Sequence, residues 1–495
     1  IRRPPRSTQS RSSAASDVYK RQVFLAIYTR NIIVSLSLGA LSGTLILNSY
    51  NPFFAIVSLM RDHIFMQVSN PSNTQVIIIT LLIGGFVGLL EKSGGSKAFS
   101  TSIIRFVSSP QKGQLATWLS GISIFFSDTA NSLIVGPLFR PVFKELRICR
   151  EKLAYIIDTT ASPVVILVPV ASWGVYIMSL IDNSYTRMGI EADPYAVLLD
   201  VWPYQIYAFL ALFSVRMIIS SGKDFGSMAK AQKKYEKIEE KQIVAIIQEK
   251  NPSLIMIILP FAIMIIVLSS VLGYYSITEG VQSIHVNAGL CLSYVFASTG
   301  CAFVMKRYQG KTYDQSMSVF FEGAGSLINV ATVLALAWAL SSICNVIGTG
   351  PYLASLIGDN LNPAYFPIAV FLFGAMMSFA TGSSYGTFAI LMATTLPVAN
   401  ILGADLVLTI AAILSGGLFG DHTSPISDTT VLASMGANCP HIDHVSTQFP
   451  YAILTGIMTI LAFILIAIYQ TPYMILIILL VQYISIRLIM LRWGS

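Results

Sequence analysis

Residues 151–174 read EKLAYIIDTTASPVVILVPVASWG, and residues 415–433 read SGGLFGDHTSPISDTTVLA. Each is an apolar run interrupted by an aspartate, small hydroxyl residues and a proline: Asp158-Thr159-Thr160-Ala161-Ser162-Pro163 in one, Asp421-His422-Thr423-Ser424-Pro425 in the other. Proline has no N–H, and its ring obstructs the preceding turn. Each helix is therefore expected to break there, freeing backbone carbonyls beside the Asp, Ser and Thr oxygens. Ahead of each break lies another apolar stretch with a polar middle. In residues 113–139 it is Ser127-Asp128-Thr129-Ala130-Asn131; in residues 367–400 it is Thr381-Gly382-Ser383-Ser384-Tyr385-Gly386-Thr387.

Composition says which solvent these runs meet. Of 495 residues, 54% are hydrophobic and only 11% charged, with a mean hydropathy of +0.69. Soluble chains carry about 25% charged residues, so a soluble enzyme, a disordered scaffold and a nucleic-acid module are excluded and a lipid bilayer is expected. The net charge of +7 is no sign of an anionic partner, because Arg2, Arg3, Arg6, Arg11, Lys20 and Arg21 against Asp17 place +5 of it within residues 1–22. That stretch resembles translated adapter sequence and is expected to be non-native and to replace part of a first helix. Five scattered cysteines without CxxC spacing suggest neither disulfides nor zinc. No cofactor is expected.

Apolar runs near 31–48, 75–91, 153–181, 201–221, 253–275, 285–305, 318–345, 405–435, 451–469 and 472–489 give about ten transmembrane helices. Both termini then share a side, and the bias of Lys and Arg makes it cytoplasmic. Residues 113–139 have basic loops at both ends, so one crossing would strand a basic loop outside. A cytoplasmic re-entrant hairpin removes the conflict, and parity opens the 367–400 hairpin outward. The expected fold is an all-α polytopic membrane protein of inverted-repeat type. Its first half is 23–221, with hairpin 113–139 and broken helix 153–181; a cytoplasmic linker, 222–252, follows. The second half is 253–489, with hairpin 367–400 and broken helix 405–435.

Aspartates inside a membrane are costly, about 2.5–3.5 kcal/mol at mid-helix, and mark function by default. Asp128, Asp158, Asp421 and Asp428 all lie in apolar runs; a plain helix cap is the alternative for any one of them, Asp428 above all. Carboxylate, hydroxyl, amide and carbonyl oxygens without soft sulfur suit Na+ rather than a transition metal. Candidate ion ligands are Asp128, Thr129, Asn131, Asp158, Thr159, Ser162, Gly382, Ser383, Ser384, Asp421, Thr423, Ser427 and Asp428. Burial disfavours a lone carboxylate's charge until a cation arrives, so Asp158 or Asp421 could hold a proton or Na+ alternately, with His422 as the nearby imidazole. His441 and His444 are expected in an interfacial loop, as a cap or a pH-sensing pair rather than a zinc site. Arg140 and Arg150 need only orient the topology. Gly84, Gly85, Gly88, Gly323 and Gly325 are expected to let helices pack closely.

The block GDHTSPISDTTVLASMGANCPHIDHVSTQFPYA, Gly420 to Ala452, resembles the NhaC-type Na+/H+ antiporter family. EKLAYIIDTTASPVVILVPVASWG, TGSSYGTF from Thr381 and TRNIIVSLSLGALSG from Thr29 agree, and the resemblance spans Val23 to Tyr469. It implies a secondary transporter of the ion-transporter superfamily, in the cytoplasmic membrane, with two re-entrant hairpins meeting two broken helices near mid-membrane. Its partners would be Na+, H+ and lipid, and a homodimer is allowed for. Many relatives have an acidic pair and an aromatic at the first hairpin tip, where Ser127, Asp128 and Thr129 stand here; ion number and identity stay open. So does a sodium- or proton-coupled carrier of a small organic acid or amino acid. An intramembrane aspartyl protease is disfavoured because Ile157 precedes Asp158 and Leu418-Phe419 stand before Gly420-Asp421. A channel is disfavoured by the paired breaks around one site.

Single cysteines at positions 127–131, in a cysteine-free background, should be labelled by impermeant maleimide from the cytoplasmic side, and cysteines at Ser383 or Ser384 from outside. Finding Lys112 and Arg140 on opposite faces would remove the first hairpin.

Overall fold

In hydrocarbon every unpaired peptide group costs several kcal/mol, which leaves a chain this apolar only helices or a closed barrel. The computed structural model describes residues 32–94, 107–238, 254–278, 283–348 and 362–494, and among these all regular structure is helical. Residues 1–22, expected to be adapter-like, and residues 239–252 of the expected linker lie outside the described residues. Nine helices among the described residues are long and apolar enough to cross a membrane, or up to eleven if each bent pair is one span.

The first half runs α1 (Ile32–Leu47), α2 (Pro52–Ser58), α3 (Pro71–Lys92), α4 (Pro110–Ser123), α5 (Asp128–Glu145), α6 (Arg150–Thr160), α7 (Ser162–Val165), α8 (Ser172–Met188), α9 (Pro194–Val201) and α10 (Ile206–Ser221). α11 (Gly226–Ile238) lies in the stretch expected to link the halves. The second half runs α12 (Ile255–Thr278), α13 (Ser283–Gln309), α14 (Tyr313–Ser326), α15 (Ile328–Ile347), α16 (Phe366–Thr381), α17 (Ser384–Leu402), α18 (Leu406–Thr423), α19 (Asp428–Ala437), α20 (His441–Tyr469) and α21 (Met474–Trp493). Two helices were not foreseen in the sequence. After α1 the chain turns by 116° into the Pro52–Val68 segment, started by the Asn51 side chain capping Phe53 and Phe54 N–H; α9 is likewise started by Pro194 and the Asp193 cap. Both are too short or too polar to register as spans.

Glycine decides how closely the helices approach. A Cβ on Gly84 would sit 2.6 Å from the Gly323 carbonyl oxygen, and one on Gly323 would sit 2.3 Å from that of Gly84, so α3 and α14 cross backbone to backbone. Gly85 instead receives the Phe320 ring, and Gly325 has open space. α5 and α19 interlock the same way: Gly136 lies against Gly436, where a Cβ would collide with backbone. Arg140 strengthens that crossing. Its Nε donates to Gly436 O at 2.6 Å and its Nη2 to Met435 O, while Arg150 Nη1 donates to Asn438 O at 3.2 Å. These arginines do more than orient the topology, since they donate to backbone carbonyls at the end of α19.

Gly323→Ala should lower thermal stability in detergent by about 1–3 kcal/mol, the usual result of overpacking, while Gly325→Ala should leave the unfolding temperature unchanged. Equal effects of the two would mean that the α3–α14 crossing is looser than described.

Candidate functional site

Both breaks form as their prolines require, and both close in the same manner. α6 ends at Thr160 and α18 at Thr423, so Asp158 and Asp421 each stand two residues before a helix end. The Thr160 hydroxyl donates to Ile156 O at 2.8 Å and the Thr423 hydroxyl to Phe419 O at 2.8 Å, each one turn back. Beyond, Ala161 N donates to Asp158 O at 3.2 Å and Ser424 N to Asp421 O at 3.0 Å. Asp421 is buried, as its counterpart is.

The hairpin tips are pressed against these breaks. In the first, Asn131 donates its amide hydrogens to Gly121 O at 2.7 Å and Thr160 O at 2.8 Å, tying both arms to the end of α6. That leaves Asn131 Oδ1 buried without a hydrogen-bond donor among the described residues; the buried Ser162 Oγ has no partner among them either. In the second, Gly382 has φ +66°, and a Cβ there would lie 2.6 Å from Ile426 O inside the break. Only glycine suits that corner. Ser383 caps α17 by accepting from Gly386 N, Ser384 Oγ donates to Gly417 O at 3.3 Å, and Ser424 Oγ donates to Phe379 O at 2.7 Å.

Around Asp158 the donors come from α20. The carboxylate is 1% exposed; its Oδ2 accepts from Gln448 Nε2 at 2.8 Å and lies 3.3 Å from His444 Nε2. The same Gln448 nitrogen donates to the His422 carbonyl at 2.5 Å, so one amide joins the two breaks. His422 is held at both ring nitrogens, by Tyr207 Oη at 2.7 Å on Nδ1 and by Thr159 Oγ1 at 3.1 Å on Nε2. Thr159 gives its own hydrogen to Tyr155 O at 2.7 Å. Its oxygen must therefore accept from Nε2–H, which makes Nδ1 of a neutral His422 the acceptor for the Tyr207 hydroxyl.

The candidates thus fall into groups. Thr159 and His422 are joined directly and Asp158 is linked to the His422 carbonyl through Gln448; Asn131 and Ser162 border the same break, and Gly382, Ser383, Ser384, Asp421 and Thr423 surround the other. Ser427 is the N-cap of α19, accepting from Thr430 N. It takes the capping role considered for Asp428, which is the first helical residue. Asp128 opens α5. The side chains of Thr129 and Asp428 lie outside the described residues.

His441 and His444 are in the first turn of α20 rather than in an interfacial loop. His441 bridges Pro425 O at 2.6 Å and Ser434 Oγ at 3.0 Å, whereas His444 is fully buried against Asp158. Tyr207 and Gln448 were not foreseen. Gln448 was readable: His444, Gln448, Tyr451, Thr455 and Thr459 recur at helical spacing along one face of an otherwise apolar segment.

Ionisable side chains buried at helix breaks in a bundle of apolar helices define a membrane transporter. Residues 164–468 match the Na+/H+ antiporter family, and the chain belongs to it. An uncharacterized protein of Haemophilus influenzae is 32% identical over 470 residues, which is 90% of this chain and 89% of that one. The arginine/ornithine antiporter ArcD of Halobacterium salinarum is 31% identical, over 43% of this chain and 41% of its own. The Na+/H+ antiporter NhaC of Alkalihalophilus pseudofirmus is 26% identical, over 33% and 36%. Among solved structures the Alcanivorax borkumensis YdaH transporter shares the fold, with a TM-score of 0.61 at 14% identity, covering 91% of this chain and 98% of that one.

Gln448→Leu leaves the Asp158 carboxylate and the His422 carbonyl short of a donor and should cost about 1–3 kcal/mol per orphaned group, read as a lower unfolding temperature. Asp443→Asn, on the exposed side of the same helix, should leave it unchanged. Wild-type stability of Gln448→Leu would mean that water, not the amide, serves the carboxylate.

Proposed function

We propose that this transporter exchanges Na+ for H+ across the cytoplasmic membrane by alternating access, with both termini on the cytoplasmic side and the two hairpins re-entrant from opposite faces. The observation that carries it is the buried Asp158, which meets His444 and Gln448 while His422, beside Asp421, meets Thr159 and Tyr207. Every member of that cluster is a proton carrier or an oxygen or nitrogen ligand. A buried carboxylate has two ways to be neutralised, a proton or a cation, and they compete for the same oxygens. When Na+ binds, oxygens that lack donors, Asn131 Oδ1 foremost, complete its shell beside Asp158. When it leaves, the proton takes its place. Asp158 and Asp421 occupy equivalent positions, and either can carry the exchanged charge. The ArcD relative is named for amino-acid exchange, which makes an organic solute the alternative to be tested beside Na+.

Purified protein in proteoliposomes with an internal pH-sensitive dye should move protons in response to Na+. Raising the proton concentration should raise the apparent Na+ KM without a matching loss of maximal rate, because the two ions share ligands. Asp158→Asn and Asp421→Asn keep shape but cannot become anionic; each should remain monodisperse and lose Na+-driven proton flux. Wild-type exchange in both variants would sink the shared-site scheme. Proton movement driven only by an added organic acid or amino acid, with Na+ alone inert, would replace Na+/H+ exchange by the carrier alternative.

A further inference from the structure

A second buried ionic cluster lies at the basic end of α6, outside the site described above. Lys152 is 2% exposed and its Nζ is paired with Asp224 Oδ1. Asp224 belongs to the start of the linker between the halves, just after Gly222, whose φ of +65° turns the chain out of α10. The same Asp224 oxygen accepts from Tyr451 Oη at 2.7 Å, and Tyr451 Oη in turn accepts from Phe225 N at 3.4 Å. The Tyr451 ring packs on Tyr155, centroids 4.9 Å apart, and on Phe225 at 4.5 Å. α11 adds a further tie. Gln232 accepts from Cys149 N at 2.9 Å and donates to Arg147 O at 2.7 Å, so the linker is fastened to the start of α6 twice.

Two facts make this more than a surface fastening. Lys152, Tyr155 and Thr159 stand at i, i+3 and i+7 on one face of α6, which places Thr159 and its neighbour Asp158 roughly 10 Å along the helix from the lysine. On α20, Tyr451 stands one turn from Gln448 and two from His444, the residues that meet Asp158. One linker carboxylate therefore grips the two helices whose side chains form the Asp158 contact. A buried ion pair is also poor glue, since apolar residues of similar volume often stabilise a fold equally well. What charge with fixed donors supplies is register.

We propose that Lys152, Asp224 and Tyr451 are positioning residues: Asp224 sets the axial register of α6 against α20, and through it the contact of Asp158 with Gln448 and His444. The linker thereby bears on the ion site without touching it. This rests on the exchange function only for its transport consequence.

The decisive variant is the double substitution Lys152→Met with Asp224→Leu, which removes both charges together, so that only the Tyr451 hydroxyl loses its acceptor. It should unfold within a few degrees of wild type, yet raise the Na+ KM about tenfold with a smaller change in maximal rate, as a small misplacement of binding groups does. A maleimide probe reads the same register without transport. Ser162→Cys in a cysteine-free background should be labelled several-fold faster when the double substitution is added. Wild-type labelling and wild-type KM in the double variant would overturn the proposal, leaving the pair a folding contact. If the double variant fails to fold, Tyr451→Phe decides: it keeps the ring and loses both hydrogen bonds of the hydroxyl, the one to Asp224 and the one from Phe225 N. A raised KM or faster labelling there supports the register role, and no change in either overturns it. If the wild type moves no protons in response to Na+, the exchange function falls while the labelling comparison still judges the register role.

Discussion

A carboxylate in the hydrocarbon layer has to find its donors in the protein, because water is not there to supply them. Asp158 therefore dictates which helices must meet. It needs α6 to stop where it does, so that the carboxylate sits beside the break, and it needs α20 to present His444 and Gln448 at helical spacing against it. Gln448 has two amide hydrogens, and the second goes to the His422 carbonyl in the other half of the chain. The placement of one acid thus fixes α6, α18 and α20 relative to one another.

The remaining architecture lets these polar contacts form without voids. Helices that carry the site are short and broken, and short helices have many unsatisfied ends. Asn131 serves two of them, Arg140 and Arg150 serve others, and capping by Ser383, Ser427 and Asp405 serves the N-termini. Close approach then depends on residues without side chains. Gly136 against Gly436 brings the first hairpin onto the second broken helix, and Gly382 brings the second hairpin tip onto Ile426. Larger residues at these crossings would separate the elements whose polar groups have to touch.

Much of this was legible because the physical signals are local. Proline after Asp, Thr and Ser inside an apolar run announces a helix break wherever it occurs, and the breaks at Ala161 and Ser424 are where such a rule puts them. Apolar length announces membrane helices, although the 116° turn after α1 and the short α9 do not register by length. Partnership across the fold was harder to read. His444 looked interfacial because Cys439 and Pro440 suggest a loop, but the loop is only the N-terminus of α20, which carries the histidine straight into the core. Tyr207 is one more tyrosine in an apolar helix until His422 is known to face it, and Lys152 carries no hint that Asp224, 72 positions on, will bury it.

The division of labour among nitrogen groups bears on how two breaks can act together. Gln448 is neutral and keeps both hydrogens at any physiological pH, so its bonds to Asp158 and to the His422 carbonyl are steady features of the site. Two imidazoles, those of His422 and His444, stand beside it. They flank the amide: one faces Asp158, the other is reached through its carbonyl and is held by Thr159, the residue after Asp158. Under Na+/H+ exchange, a change of charge at Asp158 alters what Gln448 and His444 face, and α20 carries both. The second break meets the same helix through the His422 carbonyl. No long wire is then required for one half to respond to the ion state of the other, because the two share a single side chain.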